Sequence, residues 1–251
     1  MKRFLFLPTM LIACAAMAQE FPDGAPMKPE MTEFWNPEVT VVTPGVEPAH
    51  APSDAVVLFD GTGESFQQNW TNDKGEKSGW TVADGCVTVT RGTGGITTKA
   101  KFEDFQLHIE WRTPAEVVGQ SQGRGNSGIF LQGIYEVQVL DNYNNRTYRN
   151  GQAGSIYKQS APLVNVCRKP GEWQVYDIIY TAPRFKPDGS VFSPGRVTVL
   201  QNGVLVQNNT TILGPTEYIG VPKYKAHGPG PISLQDHGNP VSYRNIWIRN
   251  L

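Results

Sequence analysis

The sequence of 251 residues has no block of basic residues and almost no net charge. Its 22 lysines and arginines are balanced by 23 aspartates and glutamates, which gives a formal net charge of −1 at pH 7. Proteins that bind nucleic acids or anionic membranes usually carry a concentrated basic patch. The sequence therefore predicts neither nucleic acid nor an anionic membrane surface as a partner.

The chain also has little cysteine and no long hydrophobic run. None of its three cysteines, at positions 14, 86 and 167, has the spacing of a metal-binding motif. Cys86 and Cys167 are compatible with a disulfide in an exported protein and equally with two separate buried thiols. The apolar run at residues 4–13 is too short to span a bilayer, so no transmembrane segment is predicted.

The first 18 residues have the pattern of an export signal. Two basic residues precede the apolar run, and AMA at 16–18 supplies the small residues that a signal peptidase requires. We expect cleavage after Ala18 and a periplasmic or extracellular protein. The segment LIAC at 11–14 also resembles a bacterial lipobox, which would instead leave Cys14 as a lipid-anchored N-terminus.

The chain beyond the signal divides into a proline-rich stretch and a folded domain. Residues 19–54 contain too many prolines for a central strand or a long helix, so we predict an extended N-terminal extension. Residues 55–251 consist of short runs rich in Val, Ile, Thr and Tyr, separated by turns, and the chain has 26 glycines and 19 prolines. This pattern predicts one all-β domain, a jelly-roll sandwich of two antiparallel sheets.

The predicted strands are short and regularly spaced. Asn202-Gly203 and Asp84-Gly85 have the composition of tight hairpin turns. The strands are expected at 55–59, 80–82, 86–90, 95–98, 104–112, 126–132, 134–140, 173–181, 196–201, 204–209, 231–235 and 242–250.

Alternation along four of these strands places polar residues on one face and apolar residues on the other. We expect the four strands to lie side by side, so that their polar faces form a groove. The residues on the face opposite the apolar one are Gln106, His108, Glu110 and Arg112; Phe130 and Gln132; Glu136 and Gln138; and Ser233, Gln235 and His237.

Several segments together resemble one family of secreted bacterial domains. VVLFDGTGESFQQNW, GRGNSGIFLQGIYEVQVLDNY, VTVLQNGVLVQNN and GPISLQDHGNPVSYRNIWIRNL occur in the order found in the 3-keto-disaccharide hydrolase domain family. The resemblance covers about residues 55–251. It implies a concanavalin-like jelly roll with a sugar site on one sheet, and hydrolysis or elimination of 3-keto-glycosides.

That reaction requires a general base, a general acid and donors that hold the developing enolate oxygen. His237 suits the base because histidine side chains change charge near neutral pH, and Glu136 and Glu110 are candidate acid/base partners. We expect a saccharide substrate and no organic cofactor, while a divalent cation that polarises the C3 ketone stays open. The predicted substrate-binding residues are Arg124, Asn126, Gln138, Gln235 and Tyr157.

Two other interpretations remain open. The same fold serves non-catalytic glycan-binding modules, and each candidate residue is also explained by a turn, a surface ion pair or core packing. Laminarinase-like retaining glycosidases of this fold carry E-x-D-x-x-E, where this chain has Glu136, Gln138 and Asp141. Because Gln138 lacks the helper charge and Asp141 is a shorter acid, the two-carboxylate mechanism is disfavoured.

Overall fold

A computed structural model describes residues 26–47 and 49–251, so the predicted export signal and Cys14 lie outside the described residues. The chain divides into two units, one ending at Val41 and one spanning Val42–Leu251. In the first unit the described residues contain a 3-10 turn at Pro29–Thr32. No helix in the described part of the chain is long and apolar enough to cross a membrane.

The second unit is built of short antiparallel strands and one short helix, α1 (Gly63–Asn69). Thr62 caps this helix, because its side chain accepts a hydrogen bond from the Ser65 backbone N–H. The strands are β1 (Val56–Phe59), β2 (Trp70–Asn72), β3 (Thr81–Ala83), β4 (Cys86–Thr88), β5 (Ile96–Thr98), β6 (Phe105–Arg112), β7 (Ser127–Leu131), β8 (Tyr135–Val139), β9 (Gln174–Thr181), β10 (Arg184–Phe185), β11 (Val191–Ser193), β12 (Arg196–Gln201), β13 (Val204–Thr211), β14 (Ser233–Leu234) and β15 (Ser242–Asn250).

These strands form two layers, as expected for a jelly-roll sandwich. The larger sheet has eight strands in the order β13-β12-β9-β6-β15-β4-β3, with β1 paired to β15. The smaller has five, in the order β2-β5-β14-β7-β8, and β10 and β11 make a separate hairpin. The pairings between the strands of both sheets are antiparallel. The predicted all-β fold of two antiparallel sheets is confirmed.

The core lies between the two sheets, where their apolar faces meet. Leu107 and Ile109 on β6 and Val137 and Val139 on β8 have no exposed surface. A strand alternates its side chains between two faces, so the period of two in the sequence predicted these inward residues correctly. Burying them is the main favourable term in folding.

Tyrosines of the larger sheet span the core and bond to the smaller one. Tyr176 donates to the Gln138 carbonyl at 2.8 Å, and Tyr243 donates to Ser127 Oγ at 2.7 Å. Each hydroxyl is buried but satisfied, which removes the penalty for placing it in the core. These two bonds fix strands β7 and β8 relative to the larger sheet, and those strands carry the candidate site.

Sequence reasoning located most strands and both hairpin turns. Asp84-Gly85 and Asn202-Gly203 have the positive φ angles that such turns require. It missed α1, β2 and the β10–β11 hairpin, which are too short to show a periodic pattern. Cys86 and Cys167 are free thiols, so the alternative of a disulfide between them is wrong.

The compact unit begins at Val42, upstream of the first predicted strand. The Ala49 carbonyl accepts hydrogen bonds from Asn245 Nδ2 at 2.9 Å and Trp247 Nε1 at 3.0 Å. Asp54 pairs with Arg249 at 2.6 Å. Ala49 and Asp54, which the sequence assigned to the extension, therefore bind strand β15.

Candidate active site

A cavity of about 580 Å³ opens over the outer face of strands β7 and β8. This volume lies within the range of small-molecule sites in proteins. Side chains from the two strands, from the end of β14 and from three connecting segments line it. The lining residues are Gln122, Gly123, Asn126, Phe130, Glu136, Gln138, Tyr148, Tyr157, Thr216, Tyr218, Gln235 and His237.

Glu136 on β8 is the buried acid of this cavity, with 4% of its surface exposed. Burial raises the pKa of its carboxyl from 4.5 to about 8, because the charged form loses its hydration. No hydrogen bond from a described residue offsets that loss, although the backbone N–H of Glu136 donates to Thr216 Oγ1 at 2.9 Å. The carboxyl therefore stays mostly protonated at neutral pH, which suits a general acid.

Gly128 on the neighbouring strand makes room for that carboxyl. In the β7–β8 register Gly128 is opposite Gln138, and Phe130 is opposite Glu136. A Cβ at position 128 would collide with Glu136 Oε1. Glycine in a strand often marks such a close approach, and here it lets the carboxyl lie across β7.

Two amide side chains flank Glu136 and bond to the same neighbour. Gln138, 1% exposed, donates from Nε2 to Gln122 Oε1 at 2.9 Å. Asn126, 3% exposed, donates from Nδ2 to the Gln122 carbonyl at 2.7 Å. Oε1 of Gln138 is buried without a partner among the described residues. Such an atom in a cavity wall is a candidate acceptor for a ligand.

Tyrosines form another wall of the cavity. The hydroxyls of Tyr148 and Tyr157 are 2.6 Å apart, and Lys158 Nζ lies 4.6 Å from the centre of the Tyr148 ring. Burial raises the pKa of Tyr157 above its ordinary value of 10, and hydrogen bonding to Tyr148 adds to this. Because one hydroxyl of the pair accepts the bond, its own proton is left for a further acceptor. The Tyr148–Tyr157 pair is thus placed to donate one further hydrogen bond into the cavity.

His237 and Gln235 reach the cavity from the segment after β14. The Gln235 backbone N–H donates to the Gly128 carbonyl at 3.0 Å, which extends the pairing with β7 beyond the strand end. The Asp236 carboxylate accepts hydrogen bonds from the Gly92 and Gly238 backbone N–H groups at 2.7 and 2.8 Å. These bonds fix the turn that joins Gln235 to His237. The exposed side chain of His237 faces the same cavity as Glu136.

The structure does not bring Glu110 to this cavity, and its predicted place in the acid/base set is wrong. Strand β6 belongs to the eight-stranded sheet, whereas β7, β8 and β14 belong to the other. Glu110 accepts from Arg244 Nε at 2.6 Å and lies 3.7 Å from His108 Nε2. Burial alone would raise the Glu110 pKa, but hydrogen bonds from His108, Asn245 and Arg244 lower it to about 2. It is an ion-pair partner on the opposite side of the sandwich.

Arg124 is also absent from the cavity, so its assignment as a substrate-binding residue is corrected. Its Nε donates to the buried Asp141 carboxylate at 2.6 Å, and an Nη donates to the Tyr143 carbonyl at 2.9 Å. The same ion pair occupies Asp141, which would have to serve as acid/base in a laminarinase-like mechanism. Asp141 and Arg124 line a different and smaller cavity of about 130 Å³. The two-carboxylate arrangement is therefore not formed around Glu136.

Six of the eight predicted site residues share the cavity, and four side chains from connecting segments that also line it were not predicted. The six are Asn126, Glu136, Gln138, Tyr157, Gln235 and His237, and the four are Gln122, Tyr148, Thr216 and Tyr218. The four lie in connecting segments, where no periodicity marks the direction of a side chain.

Comparison with known proteins identifies a family and several relatives that match this chain. The sequence profile of the 3-keto-alpha-glucoside-1,2-lyase-like domain matches residues 54–249. A 3-keto-disaccharide hydrolase of Bacteroides thetaiotaomicron is 29% identical over 246 residues, covering 80% of each chain. A crystal structure described as a candidate glycosyl hydrolase from Parabacteroides distasonis is 60% identical, with a TM-score of 0.85, and the match covers 90% of this chain and 97% of that one. A second such structure from that organism, 20% identical with a TM-score of 0.56 and covering 79% of this chain and 94% of that one, shares the fold.

Proposed function

Because the chain belongs to the 3-keto-alpha-glucoside-1,2-lyase-like family, we propose that it cleaves 3-keto-glycosides by elimination, with net hydrolysis after addition of water. The family and the relative at 60% identity support a carbohydrate-active enzyme that acts on glycosides. The finer assignment to 3-keto substrates is our proposal. Its main support is the buried Glu136 carboxyl, which keeps its proton at neutral pH in a cavity that it shares with His237.

The chemistry follows from the position of the ketone. A carbonyl at C3 acidifies the proton on C2, and His237 removes that proton as general base. The electron pair of the C–H bond moves toward C3, and the resulting enolate oxygen accepts a hydrogen bond from the Tyr148–Tyr157 pair. The enolate then expels the substituent at C1 while Glu136 protonates the departing oxygen. Water then adds to C1 of the enone and a proton returns to C2, which restores the ketone and completes hydrolysis.

The steps above use only side chains of the protein and water, and no cation. Among residues 26–47 and 49–251, no group of three or more His, Cys, Asp or Glu side chains could hold a metal ion. Glu136 and His237 are both residue types that bind metal ions, and a cation held between them would polarise the ketone.

We also propose that the protein is exported, as the sequence predicts. N-terminal sequencing of the mature protein would distinguish cleavage after Ala18 from lipidation at Cys14.

Hydrogen exchange at C2 separates the two catalytic roles. Wild-type protein in D2O is expected to release the aglycone from 3-keto-trehalose. Glu136→Gln should keep C2 exchange but lose release, because only the acid is missing. His237→Ala should lose both reactions. His50→Ala is the matched control, since this exposed histidine does not line the cavity.

The same assay decides against the proposal if other outcomes appear. Binding of the saccharide without exchange or release indicates a glycan-binding module. Cleavage of unoxidised β-glucans indicates a glycosidase of ordinary type. Equal turnover by wild type and His237→Ala removes the histidine from the mechanism.

A further inference from the structure

Gln122 contacts both amide side chains of the candidate site, although no sequence pattern singles it out. It lies in the 3-10 turn Ser121–Gly123. Its backbone carbonyl accepts from Asn126 Nδ2 at 2.7 Å, and its side-chain Oε1 accepts from Gln138 Nε2 at 2.9 Å. Gln122 thus makes the shortest hydrogen bonds to both ligand-facing amides, and Gln138 Nε2 also donates to the Gly151 carbonyl at 3.4 Å.

Backbone carbonyls fix the polarity of this network. Gln122 Nε2 donates to the Gly151 carbonyl at 2.8 Å and to Thr147 Oγ1 at 2.8 Å. A backbone carbonyl can only accept, so the NH2 group of Gln122 must face Gly151 and its oxygen must face Gln138. Gln138 must in turn offer its NH2 group. The Gln122 backbone carbonyl likewise requires Asn126 to direct its NH2 group toward Gln122.

The consequence is that both amides have only their oxygens left for a ligand. Oε1 of Gln138 is buried and has no partner among the described residues. A buried acceptor without a partner is destabilising, and native proteins keep few of them. A sugar hydroxyl in the cavity would supply the missing donor, and a carbonyl or ether oxygen at that position would not.

We propose that Gln122 is a positioning residue that holds Gln138 and Asn126 as hydrogen-bond acceptors, so that the cavity selects sugars with hydroxyl donors facing these two oxygens. The inference rests on the proposed function, because it takes a saccharide as the ligand. A site built to bond a hydroxyl discriminates strongly against the analogue that lacks it, since the protein atom is then left unpaired.

Binding of unreactive sugars to the full chain tests this selection. Methyl glucoside and its 2-, 4- and 6-deoxy analogues lack the ketone, so calorimetry measures binding apart from the chemistry. At least one deoxy analogue is expected to bind wild type about tenfold more weakly than methyl glucoside. Gln138→Met, which removes an acceptor, should abolish the penalty for one analogue.

Variants of Gln122 test its positioning role. Gln122→Leu should shrink the penalty for the deoxy analogue, because Gln138 Nε2 then keeps only its longer hydrogen bond of 3.4 Å to the Gly151 carbonyl, and the amide oxygen is held less firmly toward the ligand. Gln122→Glu should retain the penalty while its carboxyl is protonated, because the OH group then donates to the Gly151 carbonyl and the other oxygen still accepts from Gln138. The pH profile of kcat/KM on a 3-keto-glucoside should stay unchanged in Gln122→Leu, because Gln122 makes its side-chain hydrogen bonds to Thr147, Gly151, Gln138 and Asn126 rather than to the Glu136 carboxyl, and leucine adds no titratable group.

The outcomes separate this inference from the proposed function. Equal binding of all deoxy analogues to wild type, a retained penalty in Gln138→Met or Gln122→Leu, or no binding of methyl glucoside would overturn the inference. The expected binding pattern without cleavage of 3-keto-glucosides would overturn the proposed function and leave the inference standing.

Discussion

The buried carboxyl of Glu136 should make the protein less stable as the pH rises, and Glu136→Gln should remove that dependence. The folded state holds this proton up to a pKa of about 8, whereas the ordinary value is 4.5. Between these values the folded protein binds more protons than the unfolded chain, so the free energy of unfolding falls with rising pH. Stability from this group is fully present below pH 4.5 and is lost as the pH passes through about 8.

The size of the effect follows from the same two values. A rise of about 3.5 pKa units at about 1.4 kcal/mol each gives a ceiling of about 5 kcal/mol at pH 9. At pH 5 less than about 1 kcal/mol of this has been lost. Glutamine has nearly the shape of the protonated acid and cannot ionise. Relative to wild type, Glu136→Gln should therefore gain about 4 kcal/mol between pH 5 and pH 9.

Urea unfolding of both proteins at pH 5, 7 and 9 measures this difference directly. The corresponding shift in Tm is roughly 10 °C, since a domain of this size moves about 2–4 °C per kcal/mol. Glu172→Gln, at an exposed position away from the cavity, is the control and should change little at any pH. A wild-type-to-variant difference that is constant from pH 5 to pH 9 would mean that Glu136 ionises like a solvated carboxyl, and the assignment of a general acid would lose its basis.

Three further changes test separate parts of the structure. Gly128→Ala should lower kcat at least tenfold, because the new methyl group displaces the Glu136 carboxyl. Circular dichroism should show an intact fold, and an unchanged kcat would contradict the close approach of Glu136 to Gly128. Burial lowers the pKa of His108, but its two carboxylate partners outweigh this and raise it to about 9, so it stabilises the fold below pH 6.5 and loses that effect as the pH passes 9. The stability deficit of His108→Leu should accordingly shrink by about 3 kcal/mol from pH 6 to pH 10, as followed by urea unfolding. Arg124→Met should cost about 3 kcal/mol, since it leaves the Asp141 carboxylate buried and unpaired, with KM unchanged; a raised KM at full stability would restore a binding role.

Sequence reasoning succeeded where burial imposes a strict pattern. Leu107, Ile109, Val137 and Val139 alternate with polar residues because one face of each strand must meet the other sheet. The hairpin turns were predictable for a similar reason, since few residues other than Gly, Asn and Asp adopt positive φ at low cost. Such local rules need no knowledge of the rest of the chain.

The error at Glu110 shows what alternation cannot supply. A period of two separates inward from outward residues, but a sandwich has two outward faces. Glu110 and Glu136 both point away from the core, yet they lie on different sheets. Only the strand order distinguishes them, and that order depends on pairings between distant segments, such as β6 with β15.

The missed residues have a related cause. Thr216 accepts from the Glu136 backbone N–H across 80 positions of sequence, and Gln122 reaches Gln138 from a short turn. Neither contact is encoded by a local preference. Connecting segments carry many functional side chains on a rigid scaffold, so a site of this kind is recoverable from sequence only in its strand-borne part.

One signal for the site does lie in the sequence, within the paired strands β7 and β8. Glycine in the interior of a strand weakens it, by about 0.5–1 kcal/mol relative to alanine in the general case. Gly128 carries that cost so that Glu136 can be buried, and the buried carboxyl carries a second cost of its own at neutral pH. The glycine and the buried carboxyl both destabilise the fold, and neither offsets the other. Two such neighbouring features are unexpected in strands with a purely structural role. Their coincidence is what a functional acid requires, because the same desolvation that weakens the fold keeps the proton available for transfer.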